Sequence, residues 1–176
     1  MKSKMKKIVS TRSLPVFVLA TTLLFLLGTA VAVGPAMDPV SGMGSSQFVP
    51  SPPPPGVIMQ FKGEVKLLVR GEPKTADLLV NVYSILLNEE NVQHVSASHI
   101  LTFEDGSTIV TDDMEVAEPT DTPGVYTLNG NLDVVSGTGA YAGVSGQLTA
   151  HGTMDFTGPL PVASFTLRGA ISSATE

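Results

Sequence analysis

Imidazole is the side chain that most readily gains and loses a proton near neutral pH. The sequence has three: His94, His99 and His151. His99 lies in a run, 92–103, whose alternate residues Val95, Ala97, Leu101 and Phe103 are apolar, so it shares the apolar face of a strand. Asp105-Gly106 follows, and a type I′ two-residue turn there would pair Glu104 with Ser107. In that register Phe103 faces Thr108, Leu101 faces Val110, Ala97 faces Met114 and Val95 faces Val116. That set is mainly apolar, which supports the pairing. His99 then faces Asp112 as a non-hydrogen-bonded pair, with Cβ atoms about 4.5–5.5 Å apart. A histidine held by a carboxylate is the chemistry of a general base. The same pair could equally satisfy itself in a core, or sit at a wet barrel mouth. The expected inward face is Val95, Leu101, Phe103, Val110 and Met114, with Tyr126 from a later run.

Other chemistries find less support. The chain has no cysteine, which removes thiol catalysis and cysteine-ligated zinc. No two histidines stand at ligand spacing, so no metal is expected. Asp112-Asp113 with Glu115 is acidic enough to attract calcium but lacks the alternating spacing of a dedicated loop. Gly137-x-Gly139-x-x-Ala142 has the letters of a dinucleotide fingerprint, yet a strand pattern follows it where a helix N-terminus is required. Gly143-Val144-Ser145-Gly146 lacks the spacing of a nucleophile elbow. No cofactor is expected. His94, His151 and Arg168 fall on the polar faces of their strands and read as surface residues.

The elements that must position these residues are strands. Met59, Phe61, Val65, Leu67 and Val69 alternate with Gln60, Lys62, Glu64, Lys66 and Arg70, which is one half-buried strand. Further runs cover 75–87, 92–103, 107–117, 125–135, 144–156 and 162–171, with turn residues between them. No stretch keeps a helical period. Seven strand runs at intervals of about a dozen residues predict an all-β sandwich or barrel. A closed antiparallel meander needs an even number, and a split of the first run at Gly63 would supply an eighth. Glycines inside the strand patterns, such as Gly130, Gly146, Gly152 and Gly169, allow bends and favour a small closed barrel. The densest glycine stretch, Gly137 to Gly146, reads as the sharp corner that closes it.

Residues 1–32 read as a signal peptide. Lys2, Lys4, Lys6, Lys7 and Arg12 precede an apolar run, and Ala30-Val31-Ala32 suits a signal peptidase. That run is near the roughly 20 residues that span a bilayer, so an uncleaved membrane anchor is the alternative. The expected location is secreted or periplasmic. Residues 33–56, rich in Gly, Ser and Pro and ending in four successive prolines, read as a tether. The barrel domain is then expected over 57–176. The whole chain has 10 basic and 16 acidic residues, net −6. Five of the basic ones lie in 1–32, so the remainder carries five against sixteen, net −11. Nucleic-acid binding needs clustered Lys and Arg, and the chain has no such cluster.

Ser136-Gly137-Thr138-Gly139-Ala140-Tyr141-Ala142-Gly143-Val144-Ser145-Gly146-Gln147-Leu148 resembles a glycine-rich segment of the allene oxide cyclase and dirigent barrel group. Phe156, Pro159 and Ser164-Phe165-Thr166-Leu167-Arg168-Gly169 are similar to that group's closing strand. Phe103-Glu104-Asp105-Gly106-Ser107 and Pro123-Gly124-Val125-Tyr126 resemble its bacterial members. The likeness covers roughly residues 92–172. It implies an eight-stranded antiparallel barrel, an allene oxide cyclase-like lumen and a homo-oligomer. The first strands do not match the part of the cyclase pattern that carries its site residues, so no catalytic residue transfers. Three functions stay open: binding or steering of a small apolar molecule in the lumen, cofactor-free cyclisation or isomerisation, and a structural barrel with a filled core.

Overall fold

The computed structural model describes residues 36–172. The leader segment 1–32 lies outside the described residues. Eight strands follow one another: β1 (Met37–Phe48), β2 (Met59–Val69), β3 (Glu72–Leu87), β4 (Gln93–Phe103), β5 (Thr108–Pro119), β6 (Val125–Thr138), β7 (Gly146–Asp155) and β8 (Val162–Ser172). Each pairs antiparallel with the next, and β1 pairs with β8, so the sheet is a closed barrel. Closure leaves none of the eight described strands with a free edge to recruit another chain.

The eighth strand is β1, which corrects the expected tether over 33–56 and the expected domain start at 57. β2 runs unbroken through Gly63, so no split supplies a strand. β1 pairs along its length with both neighbours, from Val40↔Val69 to Phe48↔Phe61 on one side and from Met37↔Ser172 to Gln47↔Val162 on the other. An ion pair of 2.5 Å between Asp38 and Arg70 ties its start to the β2–β3 turn. The proline segment that follows β1 keeps the character of a connector.

The β4–β5 hairpin differs from expectation by one residue. Gly106 N–H donates to Phe103 O, and Phe103 N–H donates to Ser107 O. The loop is therefore three residues, Glu104-Asp105-Gly106, with Gly106 at φ +81°. This is a turn closed by a left-handed residue, not a two-residue type I′ turn. Asp105 fixes it: its carboxylate accepts from the Ser107 amide at 2.9 Å and from the Ser107 hydroxyl. Leu101 pairs with Ile109, Ala97 with Asp113 and Val95 with Glu115. A slip of one residue turns every side chain of a strand to the other face. Ile109, Thr111, Asp113, Glu115 and Ala117 consequently point inward and are buried.

Two bulges adjust the other faces. Tyr83 is the extra residue in β3 between Val82 and Ser84, and Val135 the extra one in β6. The bulge lets Val82 and Ile85 both serve the interior. The core runs through all eight strands, from Val40 and Val65 to Leu132, Leu148, Leu167 and Ile171. The glycine stretch joins β6 to β7 through a single 3-10 turn, Gly139–Tyr141. Tyr141 folds beneath that end of the barrel, its ring 4.5 Å from that of Phe103. The stretch is thus a plug at one end, while β1 performs the closure.

Candidate functional site

Three titratable side chains meet inside the barrel. His99 comes from β4, and Asp113 and Glu115 come from alternate inward positions of β5. All three are buried, at 6 %, 0 % and 7 % exposure. The His99 Nδ1–H donates to Asp113 Oδ2 at 2.7 Å, and His99 Nε2 stands 3.8 Å from Glu115 Oε1. Thr111 adjoins them: its hydroxyl oxygen accepts from the His99 amide at 3.1 Å. Asp113 Oδ1 is buried without a hydrogen-bond partner. The Phe165 and His99 rings meet edge to face, with centroids 6.2 Å apart.

Gly130 makes room for this cluster. It pairs with Glu115 across β5–β6, and a Cβ there would meet Glu115 Cγ at 3.0 Å and Leu132 Cδ1 at 3.2 Å. The missing side chain lets a long carboxylate lie over the neighbouring strand.

Burial shifts the proton equilibria. For His99, burial opposes the charged form, but the hydrogen bond to Asp113 and the negative charges of Asp113 and Glu115 outweigh it, and its pKa is raised. For Glu115, burial favours the neutral acid and the charge of Asp113 adds to that, against the pull of His99; its pKa is raised too. Two carboxylates and one imidazole in a dry interior thus favour an added positive charge.

His99 and Glu115 face a cavity of about 50 Å³ in the half of the lumen nearer the β1–β2 and β7–β8 connections. Its other walls include Phe61, Val80, Val82, Val95, Ala163 and Phe165, with Met59, Met154 and Phe156 toward its mouth. Asp113 does not line it and stands behind the imidazole. A larger depression of about 880 Å³ involves Lys66, Lys74, Arg168 and Tyr141, but none of the three clustered residues lines it.

The expected partner of His99, Asp112, is exposed on the outer face, as is Met114 at 64 % exposure, and Val110 is also outward. All three follow from the one-residue shift. Val95, Leu101 and Phe103 are inward and buried, and of these only Val95 lines the cavity. Tyr126 is half-buried at the rim, its ring 5.7 Å from Phe156. His94, His151 and Arg168 are exposed. Sequence reasoning missed Asp113 and Glu115 as inward residues. The signal present was the acidic group 112–115 itself, which a strand divides between two faces.

No protein-family model matches the chain, and no curated protein does. Solved structures similar to it include two dirigent proteins. One is the pterocarpan synthase dirigent protein GePTS1, with 16 % identity over 88 % of this chain and all of that one, at a TM-score of 0.40. The other is the pterocarpan synthase dirigent protein PsPTS1, with 14 % identity over 78 % of this chain and 97 % of that one, at a TM-score of 0.38. The barrel itself is established by the strand pairing above.

Proposed function

We propose that the barrel binds one end of a small, largely apolar molecule, with an oxygen of that molecule directed at His99 and Glu115. The supporting observation is the cavity: apolar walls converge on a polar floor, the usual composition of a small-molecule site. Its size limits the ligand. Ordinary ligand pockets span about 300–1,000 Å³, so at about 50 Å³ only a small terminal group fits without movement. Met59 and Met154, unbranched and adaptable, are the side chains able to yield. The leader-like segment 1–32 supports a secreted or periplasmic location, with membrane attachment if that segment is retained.

Nile red provides a test as an apolar fluorescent probe. Expected is saturable binding by the wild type, weakened about tenfold in Ala163→Leu, which fills the cavity; one such loss is about 1.4 kcal/mol. Equal binding by a folded variant would sink the reading. No binding at all would favour a filled structural barrel, the second reading, which the small cavity volume supports. Cyclisation of an allene oxide is the catalytic form of the proposal. It requires stereoselective product formation by the wild type and its loss in Ala163→Leu.

A further inference from the structure

The gap between His99 Nε2 and Glu115 Oε1 is 3.8 Å. A direct hydrogen bond would bring these atoms to about 2.7–3.2 Å. One bridging water, with two bonds of about 2.8 Å at a tetrahedral angle, would part them by about 4.6 Å. Two ligands on one tetrahedral metal ion, with bonds of about 2.1 Å, stand about 3.4 Å apart. The observed gap is nearest the last.

Three further features agree. The Nδ1 of His99 is bonded to Asp113, so in the neutral ring the Nε2 lone pair is on the side that shares the cavity with Glu115. A carboxylate on the far nitrogen is how proteins orient metal-binding histidines. One ligand atom from each of His99, Asp113 and Glu115 lies within 4.8 Å of the others. Asp113 is fully buried and its Oδ1 has no hydrogen-bond partner, so two buried carboxylates share one imidazole. Buried charges are stable when paired or when they hold a metal.

We propose that His99 and Glu115 bind a divalent transition ion of the zinc type, with Asp113 as the carboxylate that holds the imidazole. Imidazole with carboxylate suits such ions. The remaining coordination positions open to the lumen cavity, where water or a ligand oxygen completes the shell. This site does not depend on the lumen-ligand reading, because it is measured with the metal alone.

The experiment uses the full untagged chain, stripped with EDTA and titrated with Zn²⁺ by calorimetry at about pH 8, because metal ligands must be deprotonated and higher pH favours that. Expected is one zinc per chain, with binding weakened at least about tenfold in Glu115→Gln and in Asp113→Asn, since even an orienting partner is worth about 10–100-fold. His94→Gln and His151→Gln, both on the surface, leave binding unchanged. The proposal is overturned if wild type takes up no zinc below about 1 mM, a very weak affinity. Unchanged binding in Glu115→Gln, or loss of binding in a surface-histidine variant, overturns it too. Should Glu115→Gln fail to fold, Co²⁺ added to the wild type decides: visible absorption bands of a nitrogen- and oxygen-ligated ion support the site, and the spectrum of hydrated Co²⁺ alone refutes it. Nile red binding, followed separately, can fail without affecting any of these outcomes.

Discussion

At the residue scale, His99 and its carboxylates are the most consequential group in the barrel. Removing the imidazole leaves Asp113 buried with both oxygens unpaired. Breaking a buried ion pair from one side costs about 3–5 kcal/mol. His99→Ala in metal-free buffer is therefore expected to lose about that much stability, read by urea unfolding with circular dichroism. Asp112→Asn, on the exposed face, is expected to change stability by no more than about 0.5 kcal/mol. A larger loss at Asp112 than at His99 would refute the observed register. The histidine half of this site was legible in the sequence, because Val95, Ala97, Leu101 and Phe103 define its face. The acid half was not. In β5 the interior takes Thr111, Asp113 and Glu115 while Val110, Met114 and Val116 point outward. Apolar patterning assigns faces on the assumption that polar residues face water, and a polar site in the lumen inverts that assumption locally.

At the element scale, the β4–β5 loop decides which acids reach the histidine. Asp-Gly is compatible with both a two-residue and a three-residue loop; the backbone bonds of Phe103 make it three residues here, and the hydrogen bonds of Asp105 hold it so. Those bonds, first from the Ser107 hydroxyl and then from its amide, hold the Asp105 carboxyl below its usual value. A carboxyl depressed in the folded state stabilises above its unfolded pKa, about 3.9. The contribution is lost as pH falls through the lower folded value. Wild type is therefore expected to be more stable than Asp105→Ala above about pH 5, with the difference shrinking as pH falls below about 4. Paired pH–stability profiles check this, and a difference that grows toward acid would contradict the sign. Strands β2 to β8 were legible from alternation and turn residues. β1 was not: its inward positions include Gly42, Gly44 and Ser46, and its outward ones Ser41, Met43, Ser45 and Gln47. The space that large inward side chains would fill is taken from next door. A Cβ at Gly44 would meet Val65 at 2.9 Å and Phe165 at 3.0 Å.

At the scale of the whole molecule, β1 determines whether a barrel exists. Among the described residues it is the one strand that pairs with both β2 and β8, and each seam runs nearly its full length. Without it, β2 and β8 become long unpaired edges. Exposed flat edges template association with other chains, and the core residues Val65, Phe165 and Leu167 lose the backbone that covers them. Seven strands would have to close over a smaller circumference with new registers, and each one-residue slip would turn buried side chains to water. The lumen would be rearranged, since Ser46 of β1 is one of its walls. A chain shortened to residues 57–176 is therefore expected to aggregate or to show no cooperative unfolding transition, whereas residues 34–176 melt cooperatively. Light scattering and thermal circular dichroism on the two chains distinguish these outcomes. A soluble, cooperatively melting 57–176 that still binds Nile red would show that the closing strand is dispensable and that 37–48 serve as a tether after all.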